Sequence, residues 1–492
     1  MMRALTNAVW AGLCAMALIA PAVCAQQAEQ PQSPTPEQPA NQSSAPIPAY
    51  HSPFASAADN GDGEESPQEL TPDTRALSGA QYLSLGNPTT RSYWQPHFDV
   101  FATADSNPQE TASGNGWSGE GSVSGGVDVH RTSGSNDLTL GYSSGGIFSD
   151  QAGVGNGVVQ GLNFGDKIGF HRAKLSFFDQ LSYLPESSLG FGTLGGVALP
   201  GTGTTGLGPG FGTGQSILTG QGQNLENAVA TELDTFLTPR SSLTFVGGYS
   251  LLHAFGSELL DFNEFSFRGG YNREMTRKDT IAALYTYSGI RYNNFDQSID
   301  VHTMQGSYAR RVTGRLAFQV AAGPQVVISH IPISGNTASG GGTGSAPNVT
   351  QIYWSLNTAL QWQEERTSLG LSYNHGTSGG SAVLAGSLAD IVTGSVNRRA
   401  SRTFSNGLSA GYSRNEGVTI GKSAPPTQTY DYWFAGGTLT HPMGQTMGLT
   451  LTYQMQYQTS NATFCIGPTC GTSVIRHLIS VGVGWHERPL LF

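Results

Sequence analysis

Charge is what this sequence has least of. Only 12% of its 492 residues are Asp, Glu, Lys or Arg, about half the share of an ordinary soluble domain. The basic residues are the scarcer sign, 24 against 34 acidic, for a net charge of −10. That balance excludes nucleic acid as an expected partner, because such proteins carry a basic footprint. Hydrophobic residues reach only 38%, and no internal apolar run approaches the ~20 residues of a membrane helix. Cysteine is limited to 4 residues, too few for a disulfide-built scaffold. What is abundant is glycine, with 66 residues, and aromatic side chains at 10%. That aromatic content is too high for simple disorder. A long, glycine-rich, aromatic and weakly charged chain fits a large transmembrane β-barrel, an all-β fold.

The first 25 residues read as a secretory signal. Arg3 supplies the positive start, Ala8 to Ala20 the short apolar core, and Val23-Cys24-Ala25 a small-residue cleavage site. The bulky Val23 disfavours lipidation at Cys24. Cleavage leaves Cys465 and Cys470, which bracket Gly-Pro in CIGPTC. In an exported chain that spacing predicts a local loop disulfide, and two thiolates fall short of the four ligands zinc takes. No metal site and no cofactor are expected. Residues 26–95 are rich in Pro, Gln and Ser and read as a mostly disordered periplasmic extension. Asp59 to Glu64 has acidic residues but not the spacing of a calcium loop.

From residue 96 the chain repeats one unit, a stretch of alternation followed by a break. In 446–458, Met447, Leu449, Leu451, Tyr453, Met455 and Tyr457 alternate with Thr, Gly and Gln. Period two makes one face apolar and the other polar. The pattern recurs at 242–252, 351–363 and 475–485, and predicts about 18 strands (16–18). Gaps after even-numbered strands are short, and gaps after odd-numbered strands are mostly long, up to the stretch 185–223. Strict short and long alternation marks an up-and-down antiparallel barrel with tight turns on one side of the membrane. The short turns and their flanks hold Arg131, Arg172, Arg240, Arg273, Arg277, Lys278, Arg310, Arg311, Arg315, Arg366, Arg398, Arg399 and Arg402, more than half of the basic residues.

The polar parity must face the lumen, because an Arg or Lys on the lipid side costs about 2–4 kcal/mol at mid-depth. The expected pore-lining residues are Asp128, His130, Lys174, Glu232, Asp234, Glu264, Arg268 and Arg476, and a wetted interior is expected from them. Asp179 breaks the rule by sharing parity with Leu175, Phe177 and Leu181, so either a bulge or a different register is expected there.

Residues 96–492, with Phe492 at the end, resemble a bacterial outer-membrane β-barrel of porin-like type. The resemblance implies outer-membrane lipid around the barrel, an N-terminal extension in the periplasm, and recognition of Phe492 by the barrel-assembly machinery. It also implies small polar solutes as cargo, and homo-oligomers occur in this class, although no interface stripe stands out. Pro489, followed by Leu490 and Leu491, departs from alternation and predicts a final strand ending near Trp485. Barrels of 16–18 strands leave an aqueous channel, so passive diffusion is the leading function. For the third outer loop, 185–223, with Glu186 its one charge, two readings stand: an inward-folded constriction, as the porin resemblance implies, or a mobile surface loop.

Two other readings use particular residues. A port for export or assembly of polysaccharide or another polymer would use the long 26–95 extension. An outer-membrane lipid hydrolase would use His375 and Ser378, near the outer rim, as base and nucleophile. The plain account of that pair is a rim histidine at the start of a Gly/Ser loop, and no enzymatic activity is expected. The strings Gly201-x-Gly203-x-x-Gly206 and Gly190-x-Gly192-x-x-Gly195 lack the flanking strand and helix of a dinucleotide site.

Overall fold

Alternating stretches can bury their polar faces in a membrane only if every strand edge is paired, and the computed structural model shows how this chain does so. It describes residues 92–107, 116–149, 157–184, 224–255, 261–293, 297–330, 348–381, 384–401, 403–418, 428–461, 473–488 and 490–491. The signal segment, the extension up to residue 91, the loop 185–223, Cys465, Cys470 and Phe492 lie outside the described residues.

The first nine strands are β1 (Tyr93–Asp105), β2 (Ser118–Ser133), β3 (Asn136–Ser149), β4 (Gly157–Gly169), β5 (Ala173–Leu184), β6 (Asn224–Thr238), β7 (Ser241–Ala254), β8 (Phe262–Glu274) and β9 (Asp279–Tyr292). They are followed by β10 (Ser298–Arg311), β11 (Leu316–His330), β12 (Asn348–Glu364), β13 (Thr367–Ser381), β14 (Leu384–Arg399), β15 (Ser405–Gly417), β16 (Thr429–Met443), β17 (Met447–Ser460) and β18 (Ser473–His486). Each pairs antiparallel with its sequence neighbours, and β1 pairs with both β2 and β18. The sheet therefore closes on itself around its circumference, as a membrane requires of β-structure. Among the described residues there is no helix long and apolar enough to cross a membrane.

Three expectations change at the ends. The first strand begins at Tyr93, ahead of the expected boundary at 96. The chain does not stop pairing near Trp485. A two-residue β19 (Leu490–Leu491) resumes the ladder, with Leu490 opposite Trp94 and Leu491 opposite Tyr93. The connection between β13 and β14, expected to be a long outer loop, spans only residues 382–383. Its Gly, Ser and Ala residues carry too little hydropathy contrast to show alternation, so their pairing was not legible.

The bulge expected at Asp179 is absent. The register runs unbroken from Gln160 opposite Tyr183 to Gly169 opposite Lys174. Asp179 keeps the apolar parity, opposite Phe164 and Val229. It is tolerated there because Asn227, on the same outward face, donates from Nδ2 to its Oδ1 at 2.8 Å. The register irregularity recorded along this stretch lies between Phe236 and Thr238.

The two faces separate cleanly. Outward positions hold exposed apolar groups such as Ile352 at 75% and Trp354 at 70%. Inward positions hold Asp99, Asp105, Glu232, Glu264, Gln456 and Arg476, all buried. Inward aromatics lie across glycines of the next strand. A Cβ on Gly482 would stand 2.1 Å from the Phe101 ring that the register sets opposite it.

Candidate functional site: the inner wall

Cross-strand partners share a face, so register assigns each residue to the inside or outside. Asp128 and His130 on β2 oppose the inward Gln95 and Tyr93. Lys174 on β5 opposes Asp234 on β6, and Glu232 lies one inward step further along β6. Glu264 and Arg268 on β8 oppose Ser250 and Val246, and Arg476 on β18 opposes Gln456. All eight stand at inward register positions.

Few of them are loose charges in a water column. Arg476 is clasped by Asp105 of β1, which accepts from Nε at 2.8 Å and from a guanidinium NH2. Both side chains are 2% exposed. His130 Nε2 meets Asp137 Oδ1 at 2.7 Å. Thr244 donates to Asp234, and Ser288 donates to Glu264. Arg268 donates from Nε to Thr286 at 3.2 Å and feels the charge of Glu232. Desolvation makes such charges acceptable only when they are bonded. Asp99, inward on β1, is the exception. It is 0% exposed and neither carboxylate oxygen has a hydrogen-bond partner.

The ionisable groups are not spread evenly around the wall. Closure places β18 beside β1, so the eight, with Asp99, Asp105, Asp137 and Lys167, occupy one continuous arc from β18 through β8. On β9 to β17, among the described residues, inward positions carry no Asp, Glu, Lys, Arg or His between the strand ends. Arg311 and Arg399 stand at the short-turn ends of β10 and β14. The polar positions of this arc are amides and hydroxyls. Linear sequence hid the asymmetry because β18 and β1 are farthest apart in the chain.

The outer mouth is packed. Leu252, Phe262, Ile290, Tyr292, Ile299, Val301 and Val327 form a buried apolar cluster on the inner face of β7 to β11, and Val418 joins it from the end of β15. The β13–β14 tip bends over this cluster. Pairing between β12 and β13 ends at Leu356 opposite His375. Beyond it, Thr377 donates from N at 3.0 Å and from Oγ1 at 2.9 Å to Gln325 Oε1, reaching past β12 to β11. Gly386 has φ +70, and a Cβ there would stand 2.3 Å from Ile299 Cδ1. Its carbonyl accepts from Val418 N at 3.2 Å. A residue without Cβ is needed for both the left-handed backbone and the contact. The inward-folded element in the described structure is thus the β13–β14 tip, while the loop 185–223 lies outside the described residues.

The outer rim carries a second pattern that the sequence did not disclose. Outward carboxylates accept from tyrosines of the preceding strand. Tyr287 donates to Asp300 at 3.0 Å, Tyr373 to Asp390 at 2.7 Å and Tyr412 to Asp431 at 2.6 Å. His375 shares Asp390, with Nδ1 2.7 Å from Oδ1. Hydroxyl-bearing rings at a membrane interface place an apolar body in lipid and a polar tip in the headgroups. The side chain of Ser378 is not among those described.

A closed 18-strand antiparallel barrel, with an exposed apolar outer face, defines the class: a transmembrane β-barrel. No known protein-family model matches the sequence, and no curated protein does. Solved structures similar to it include OpdQ of Pseudomonas aeruginosa, at 10% identity and TM-score 0.40, covering 82% of this chain and 100% of that one. Another is Pseudomonas aeruginosa OccK2 (OpdF) in complex with glucuronate, at 10% identity and TM-score 0.40, covering 82% and 98%. The FrpB iron transporter of Neisseria meningitidis reaches 8% identity and TM-score 0.38, covering 80% and 81%. Likeness at this level leaves the functional reading to the chain's own residues.

Proposed function

We propose that the protein is an outer-membrane channel for passive diffusion of small polar solutes, narrowed at its outer mouth by the inward-folded β13–β14 tip. The observation that carries the reading is the closed 18-strand circumference with a polar inner face, since strand number sets barrel width and 16–18 strands suffice for an aqueous passage. On this reading Asp128, His130, Lys174, Glu232, Asp234, Glu264, Arg268 and Arg476 belong to the pore wall, with Arg476 fixing the strand seam rather than meeting solute. Residues 1–25 are a cleaved signal, 26–92 a periplasmic leader, and Phe492 the feature read by the assembly machinery. Lipid surrounds the apolar face, and self-association is compatible with it.

The His375–Asp390 pair is better read as rim hydrogen bonding than as catalysis. Tyr373 bonds the same carboxylate oxygen, and among the described residues no hydroxyl is bonded to His375. The test of the channel reading is conductance of the purified full chain in planar bilayers. Discrete current steps are expected, and a barrel silent even after deletion of 185–223 would overturn the reading.

A further inference from the structure

The uncharged arc has its own chemistry. On the inner face of β12, Asn357 and Gln361 are separated by Ala359, and Gln363 follows toward the short turn. Asn374 of β13 stands directly opposite Asn357. Several residues beside these amides are small: Ala321 opposes Asn357, Ala317 opposes Gln361 from β11, and Gly370 opposes Gln361 from β13, while Gln319 stands between the two alanines, opposite Ala359. Ala317 and Ala321 are buried, whereas Asn357, Gln361, Gln363 and Asn374 stay partly exposed. Long amides thus alternate with alanine and glycine on this part of the inner face.

The polar groups just above them are already satisfied. Gln325 donates to Thr303 at 3.0 Å and accepts from Thr377, and Gln305 donates to Ser355 at 2.8 Å. That network fixes the inward bend of β13. Below it, the four amides make no such side-chain bonds among the described residues, which leaves their donors and acceptors available to the interior. A side-chain amide offers two donors and a two-lone-pair acceptor in one plane. Vicinal hydroxyls, each both donor and acceptor, match that set, and a neutral partner leaves no charge uncompensated on a wall without ions. Ionic solutes would instead follow the charged arc across the lumen.

We propose that the inner face of β11–β13, below the β13–β14 tip, is a binding subsite for a neutral polyhydroxylated solute, a small saccharide, held by Asn357, Gln361, Gln363 and Asn374. This rests on the channel reading for its role in passage, but the site itself can be tested apart from it. In planar bilayers, maltose added to the full chain is expected to reduce ion current with concentration, while gluconate and lysine of comparable concentration do not. The triple variant Asn357→Ala, Gln361→Ala, Asn374→Ala should raise the half-blocking maltose concentration about tenfold. Equal block in the triple variant, or stronger block by gluconate or lysine, would overturn the proposal. If the barrel carries no current, the channel reading fails, and saturation-transfer NMR of maltose on the detergent-solubilised full chain decides the site. A maltose signal that the triple variant loses supports it, and no signal with wild type overturns it. As a check on folding, Asn357→Asp keeps size and polarity and should weaken maltose block as well.

Discussion

At the residue scale, the inner wall contrasts two buried carboxylates of β1. Asp105 is matched by Arg476 across the seam that closes the barrel, and its backbone neighbours tie in too, with Ser106 N donating to His477 O at 3.0 Å. Removing one partner of a buried pair strands the other charge, at a cost of about 3–5 kcal/mol. Asp105→Ala is expected to lose about that much stability in denaturant unfolding of the detergent-solubilised barrel. Asp105→Ala with Arg476→Leu should recover part of it, and equal stability of all three would refute the seam clasp. Asp99 is the opposite case, a buried carboxyl with no hydrogen-bond partner among the described residues. Asp99→Ala should raise stability by about 1–3 kcal/mol, and a clear loss would mean that Asp99 has a partner of its own. Parity in the sequence placed Arg476 inside. It could not supply Asp105, because that partner lies 371 residues away and meets it only after closure.

Single elements show where pattern reading succeeds and where it stops. β17 was legible residue by residue, because Leu, Met and Tyr alternate with Thr and Gln. The β13–β14 tip was not, since it is built of residues that contrast weakly and its direction depends on Gly386 and on Gln325 of β11, two strands before β13. Gly386→Val would meet both a left-handed backbone and Ile299. It is expected to release the tip and raise single-channel conductance, and an unchanged conductance would show that the tip does not narrow the passage. The short turns follow local rules instead. Between β8 and β9, Thr276 donates to Asp279 Oδ2 at 2.6 Å, and Tyr308 donates to Oδ1 at 2.8 Å. These bonds, the Thr276 hydroxyl first, hold the Asp279 carboxyl below its ordinary range, with Arg310 and Lys278 adding to the effect. A depressed folded pKa contributes stability that is present above the unfolded value near 3.9 and lost as pH falls through the folded one. Asp279→Asn should therefore flatten the acid limb of stability below about pH 4, and an identical acid profile would contradict that staple.

For the whole molecule, composition and parity disclosed the class, and closure disclosed the layout. The 66 glycines and the few charges describe a barrel whose apolar residues are needed on only one face of each strand. Only the pairing of β1 with β18 joins the charged strands into one arc and leaves β9 to β17 as a neutral wall. The same closure puts the inward-folded tip above that wall, so a solute passing the mouth meets amides on one side and bonded ions on the other. The most direct measurement of this account is single-channel recording of the full chain in planar bilayers, with wild type and Gly386→Val side by side. Discrete steps that grow larger in the variant are predicted. A barrel that stays silent in both forms, and after deletion of 185–223, would contradict it.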